Sequence, residues 1–173
     1  PTTVPGPNAS ITNYGASPDG RTIADHVDRG GNEITTVEFY DVDSGSKLPD
    51  ELTDIWGEFV VAWQGNGGVF YTQMAPDDGK TDRMLNMRTL YHKLGTPAAK
   101  DPIVIPAGCA SGFALDPQEF PFIGTDPSSP WAMVVASGAR AEARICVAKV
   151  ADLKAPGAKI QCPIGYDDEV QAG

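Results

Sequence analysis

Three times along this chain a short run rich in β-branched and aromatic residues meets a turn of Gly, Pro, Asp or Asn and is followed by another such run. "SPDG" at 17–20 leads into "RTIADHVD" (21–28). "EFVVAW" (58–63) passes through "QGNGG" into "VFYTQM" (69–74), and "EFPFIG" (119–124) passes through "TDPSSP" into "WAMVVAS" (131–137). The turns begin at 17, 64 and 125, so they lie 47 and 61 residues apart; the longer interval holds the polar insertion "APDDGKTDR" and the loop "GCASGFALDPQ". "EITTVEFYD" (33–41), "MRTLYHKL" (87–94) and "EARICVAKV" (142–150) supply further strands. A period of roughly 40 to 50 residues with about four strands per unit is that of propeller blades. A sandwich would show turns every 8–12 residues or so without that higher period.

The strand faces point the same way. In "EITTVEFYD", Thr35, Val37 and Phe39 share one face while Ile34, Thr36 and Tyr40 share the other, because side chains alternate along a strand. Apolar groups on both faces predict a sheet covered on both sides, as blades are. Helices are excluded by 19 glycines and 15 prolines spread through the chain in clusters. "AEARICVAKVADL" has helical propensity, but its central Ile-Cys-Val and the following Pro156 favour strand. With 173 residues the chain suits one domain. The expected fold class is therefore all-β, a partial β-propeller of about three four-stranded antiparallel blades at 11–50, 55–106 and 119–163, in a single domain over 1–173.

Asp and Glu outnumber Lys and Arg by 23 to 13, and no basic stripe gathers for a phosphate backbone, so nucleic acid is not an expected partner. No run approaches the ~20 apolar residues that cross a bilayer. The chain reads as soluble, with cytoplasm and periplasm both open. It begins "PTTVPGPNAS" without Met, as a processed product or an excised piece would. Cys109, Cys146 and Cys162 form no C-x-x-C pair, and buried free thiols are the expectation, one bridge being left open.

The sequence shows no complete catalytic motif. A serine hydrolase raises its nucleophile in G-x-S-x-G; "GCASG" (108–112) places its serine one position late. A triad would need His26 or His92, and both lie inside expected strands. His26 and Asp28 share a strand face, whereas Asp25 points the other way, and two ligands do not make a zinc site. "DVDSGSKLPDEL" (41–52) resembles a calcium loop at Asp41, Asp43 and Gly45. The required sixth-place Gly is Ser46, however, and the twelfth-place acid is Leu52, so a hairpin connection is the better account. "GNGG" lacks the strand-to-helix setting of a phosphate cradle and reads as a turn. Leu90, His92 and Leu94 alternate onto one apolar face, which predicts a core or interblade histidine held by a backbone carbonyl. No catalytic residue, metal or cofactor is expected.

Taken together, "ASPDGRTIADHVDRGGNEITTVEFYDVDSGSKLPDEL", "AWQGNGGVFYTQM" and "LYHKLGTPAAKDPIV", in this order and spacing, resemble the propeller domain of the prolyl oligopeptidase family. These serine peptidases cleave short peptides after proline. The most specific mark is "LYHKLGT" with Asp101 five residues after Thr96. The likeness is strong over 11–104 and weaker over 119–153, where "TDPSSPW" replaces the family's acidic-glycine turn.

The resemblance implies a non-catalytic propeller segment that gates access of short proline-containing peptides to an α/β-hydrolase domain, itself absent from this chain. The chain alone should then have no peptidase activity. The implied partners are that hydrolase domain and the remaining blades, with self-association through open blade faces. The family's propeller also lends apolar side chains to the substrate cavity. Phe59 and Phe120 are the nearest candidates here, but the alignment slips by one residue at each, so the role is not carried over. The alternative is a free-standing, blade-like protein-interaction module that has lost its hydrolase.

Overall fold

The computed structural model of the chain describes residues 8–110, 113–154 and 158–171. Three four-stranded antiparallel meanders follow one another. The first sheet comprises β1 (Ser10–Ala16), β2 (Thr22–Asp28), β3 (Ile34–Asp41) and β4 (Lys47–Trp56). The second comprises β5 (Ala62–Trp63), β6 (Gly68–Gln73), β7 (Arg88–Lys93) and β8 (Ile103–Ile105). A two-stranded hairpin, β9 (Cys109–Ala110) and β10 (Phe113–Ala114), intervenes. The third sheet comprises β11 (Phe120–Thr125), β12 (Trp131–Ser137), β13 (Arg144–Lys149) and β14 (Gln161–Ile164). The all-β, three-blade expectation is met, and the segment with helical propensity is strand β13.

The first turn forms as its residues dictate. Gly20 sits at φ +71° and donates its N–H to Ser17 O at 2.8 Å, while Asp19 Oδ1 accepts from Ser17 Oγ and from the Arg21 N–H. The corresponding turn of the second sheet lies beside it, since Asn66 Oδ1 accepts the Asp19 N–H at 3.1 Å. First strands of successive sheets also touch: Trp63 Nε1 donates to Gly15 O, and Thr125 Oγ1 donates to Trp63 O.

Alternation along β6 and β7 then builds two cores at once. Val69, Tyr71 and Leu90 join Val37, Phe39, Leu52 and Ile55 of the first sheet. Phe70 points the other way, into a cluster with Ile105, Phe113, Val134 and Ala148. The second sheet is thus covered on both faces, which is the blade arrangement. Polar cross-links strengthen the second seam, where Thr72 Oγ1 and Thr89 Oγ1 both donate to Pro121 O. Gly68 is required by close approach, because a Cβ there would stand 2.6 Å from His92 O.

The first sheet departs from the expectation that both its faces are apolar. Its outer face centres on buried Glu38, which accepts from Arg29 at 2.5 Å, Lys47 Nζ at 2.7 Å and Tyr40 OH at 2.8 Å. The cysteine expectation is also corrected. Cys146 on β13 and Cys162 on β14 form a disulfide, because antiparallel pairing brings their Cα atoms to 3.9 Å although 16 residues separate them. The side chain of Cys109 lies outside the described residues.

Candidate functional site

A broad concavity runs along the seam between the second and third sheets, where β5 and β11 meet. It encloses about 740 Å³ and is walled by Phe59, Val61, Trp63, Phe120, Phe122 and Ile123, among others. The chain reaches it through a local irregularity. "EFVVAW" is expected as a strand, yet only Ala62–Trp63 pairs. Gly57 N–H bonds Glu33 O at 2.7 Å and Phe59 N–H bonds Trp56 O at 2.9 Å, and these bonds turn the segment instead of extending it. The turn lays the Phe59 ring against Trp56, centroids 5.7 Å apart, and against Phe120 at 5.0 Å.

Phe59 and Phe120, singled out separately by sequence, therefore stand in one aromatic pair. Such a wall binds apolar or ring-shaped groups by contact area and by its π faces. Glu58 supplies the acidic group among its described lining residues, which include no histidine or cysteine.

The remaining candidates are dispersed. His26 is buried on the face of Ala24 and Val37, and its Nδ1 has no hydrogen-bond partner among the described residues. Burial pushes its pKa down to about 4. Asp28 accepts the Gly30 and Gly31 N–H groups at 2.8 Å and Asp41 accepts from Ser44, so both serve turns. Asp25 lies opposite Glu38 on the outer face; burial first, then the Glu38 charge, raises its pKa. No group of three His, Cys, Asp or Glu side chains able to hold a metal is found among the described residues. Ser111 and Gly112 of "GCASG" lie outside the described residues.

His92 is fully buried on β7 between the first two sheets, as its alternation implies, but its partners are not backbone carbonyls. Nδ1 lies 2.9 and 3.0 Å from the two Asp101 oxygens, and Nε2 lies 3.0 Å from Asp50 Oδ1. The "LYHKLGTPAAKD" spacing now has a physical reason. Gly95, at φ +81°, turns the chain and donates its N–H to Asp50, and the 3₁₀ turn Ala98–Lys100 brings Asp101 back to the ring. Asp50 was missed by sequence reasoning because it sits 42 residues from His92. By sequence "DVDSGSKLPDEL" reads as a hairpin connection, whereas Asp50 stands on strand β4, with its side chain turned inward to the ring.

The family profile described as "Prolyl oligopeptidase, N-terminal beta-propeller domain" matches residues 5–109. A dipeptidyl aminopeptidase BI of Pseudoxanthomonas mexicana is 32% identical over 96 residues, which are 55% of this chain and 12% of that protein. Among solved structures, one from a study of two prolyl endopeptidases and their interdomain dynamics superposes with a TM-score of 0.74 at 27% identity, covering 90% of this chain and 21% of the other. Prolyl oligopeptidase B of Galerina marginata, bound to a 35-residue substrate, shares the fold with a TM-score of 0.77 at 18% identity, over 91% of this chain and 23% of that one. The chain thus spans about a quarter or less of the length of the relatives it resembles.

Proposed function

Because this chain belongs to the prolyl oligopeptidase N-terminal β-propeller family, we propose that it is the non-catalytic cover of a serine peptidase. In this reading it limits access to a hydrolase domain carried elsewhere in the longer protein. The observation that carries the reading is the Phe59–Phe120 groove: an apolar recess at the seam of two first strands, with no nucleophile–base pair among its described lining side chains. A wall of that kind contributes binding to the apolar and prolyl groups of a short peptide while the reacting groups come from the other domain.

The test compares two polypeptides on a fluorogenic Gly-Pro substrate and a serine-reactive phosphonate. The 173-residue chain alone should neither turn over nor label. The longer natural polypeptide should do both, and Phe59→Ala in it should lower kcat/KM by about tenfold, the equivalent of about 1.4 kcal/mol of lost contact. Labelling of any serine in the short chain would overturn the assignment.

A second reading, a free-standing interaction module, is favoured by the exposed Trp131 and Met133 on the third sheet. A natural reading frame without a downstream hydrolase would support it against the first.

A further inference from the structure

His92 is one of two histidines in the chain, and both of its ring nitrogens face carboxylates. An ionised carboxylate only accepts hydrogen bonds, and a neutral imidazole has a single N–H to give. With both carboxylates ionised, bonds to Asp101 from Nδ1 and to Asp50 from Nε2 take a ring that carries both protons. The two acids belong to different sheets. Asp101 follows the 3₁₀ turn that leads into β8 of the second sheet, whereas Asp50 stands on β4 of the first.

We propose that His92 is held as an imidazolium and acts as a proton-dependent clasp between the first and second sheets, closed while the ring keeps two protons and loosened when it loses one. The surroundings fit this assignment from every side. From β6, Tyr71 OH donates to Asp101 at 3.0 Å; from the turn after β7, Gly95 N–H donates to Asp50 at 2.5 Å. From β3, the Phe39 ring stacks on the imidazole with centroids 6.0 Å apart and adds no charge, since Glu38 lies on the opposite face. On β4, Glu51 pairs outward with Lys47; on β7, Arg88 bonds Gln73 and Lys93 is exposed. Lys100 of the 3₁₀ turn is likewise exposed. The ring is thus the one cation hydrogen-bonded to these two acids among the described residues.

Burial alone would lower the ring's pKa, but the hydrogen bond and charge of Asp101, and then those of Asp50, outweigh it and raise the pKa above its ordinary value. A histidine whose folded pKa is raised contributes fully below the unfolded value of 6.5, and the contribution disappears as pH rises through the folded value. The clasp therefore opens on the alkaline side.

Nitrogen-15 NMR of the histidine rings in the unaltered chain tests the charge state directly. At about pH 7, one ring should show two protonated nitrogens and the other a neutral tautomer. Two neutral rings would overturn the proposal. Hydrogen exchange tests the clasp: protection of the Gly95 and Met74 amides, which donate across the seam to Asp50 and Asp54, should fall by about tenfold relative to third-sheet amides on going from about pH 7 to about pH 10. Asp50→Asn, which keeps an oxygen acceptor and removes the charge, should weaken that dependence. Equal relative protection at both pH values in the unaltered chain would sink the clasp.

Discussion

At the residue scale, His26 is the counterpart of His92: buried, but with no carboxylate hydrogen-bonded to its ring among the described residues. Its Nδ1 is unpartnered and its pKa is pushed down to about 4 by burial. The unfolded chain binds a proton at the ordinary value of 6.5 while the folded chain does not, so stability is full above that pH and falls as pH drops toward the folded value. That loss amounts to about 3 kcal/mol by the time the folded ring also titrates. Replacing the ring removes the titration and an unsatisfied polar atom together. His26→Leu should therefore be neutral or stabilising by about 1 kcal/mol near pH 7, and should flatten the decline in urea midpoint between about pH 6.5 and 4. An unchanged acid-side slope would contradict this account. For both histidines the sequence makes the inward direction legible through strand alternation. Partners are another matter, since they depend on which residue of a distant strand arrives opposite. His92 meets Asp50 only because the first two sheets pack face to face, and no local pattern carries that information.

At the scale of elements, the turns and strands were the most readable part, because Pro, Gly, Asp and Asn act within a few residues of themselves. The Glu58–Val61 segment was not readable, since its course is set by a bond to Glu33 O across the chain. The edge strand β14 depends even more on remote chemistry. It pairs with β13 at only two positions, Ile145↔Ile164 and Val147↔Gln161, across an irregularity, and Pro163 offers no N–H to a ladder. The Cys146–Cys162 bridge compensates for that thin pairing by closing a loop over a separation of 16 residues. A cross-link that acts by restricting the unfolded chain contributes about 3 kcal/mol for a loop of this size. Replacing both cysteines by serine should lower the urea midpoint accordingly. Treatment of the unaltered chain with dithiothreitol should speed proteolysis near β14 while leaving the first sheet protected. Equal cleavage rates with and without reductant would show that the strand holds by its own packing.

At the scale of the whole molecule, the two end faces differ, and the difference decides how the chain should associate. An open stack of blades is expected to leave apolar surface at both ends. Here the first sheet's outer face is organised around the Glu38 cluster, its charges already paired with Arg29 and Lys47. The third sheet's outer face carries Trp131 and Met133, each 44% exposed, and Met133 lies directly across from Val147 on β13. Packing the charged end against the apolar end would strip water from ion pairs without offering them new partners, which costs free energy. Packing two apolar ends together does not, and a two-fold contact of that kind closes after one step. The isolated chain should therefore dimerise through its third sheet, not polymerise end to end. Sedimentation should show concentration-dependent dimers that persist in high salt, because the contact is apolar. Replacing Trp131 and Met133 together by Glu and Lys should yield a monomer with unchanged circular dichroism, while Tyr14→Glu on β1 of the first sheet should leave dimerisation intact. Longer oligomers, or a monomer at every concentration, would count against this asymmetry of the two ends.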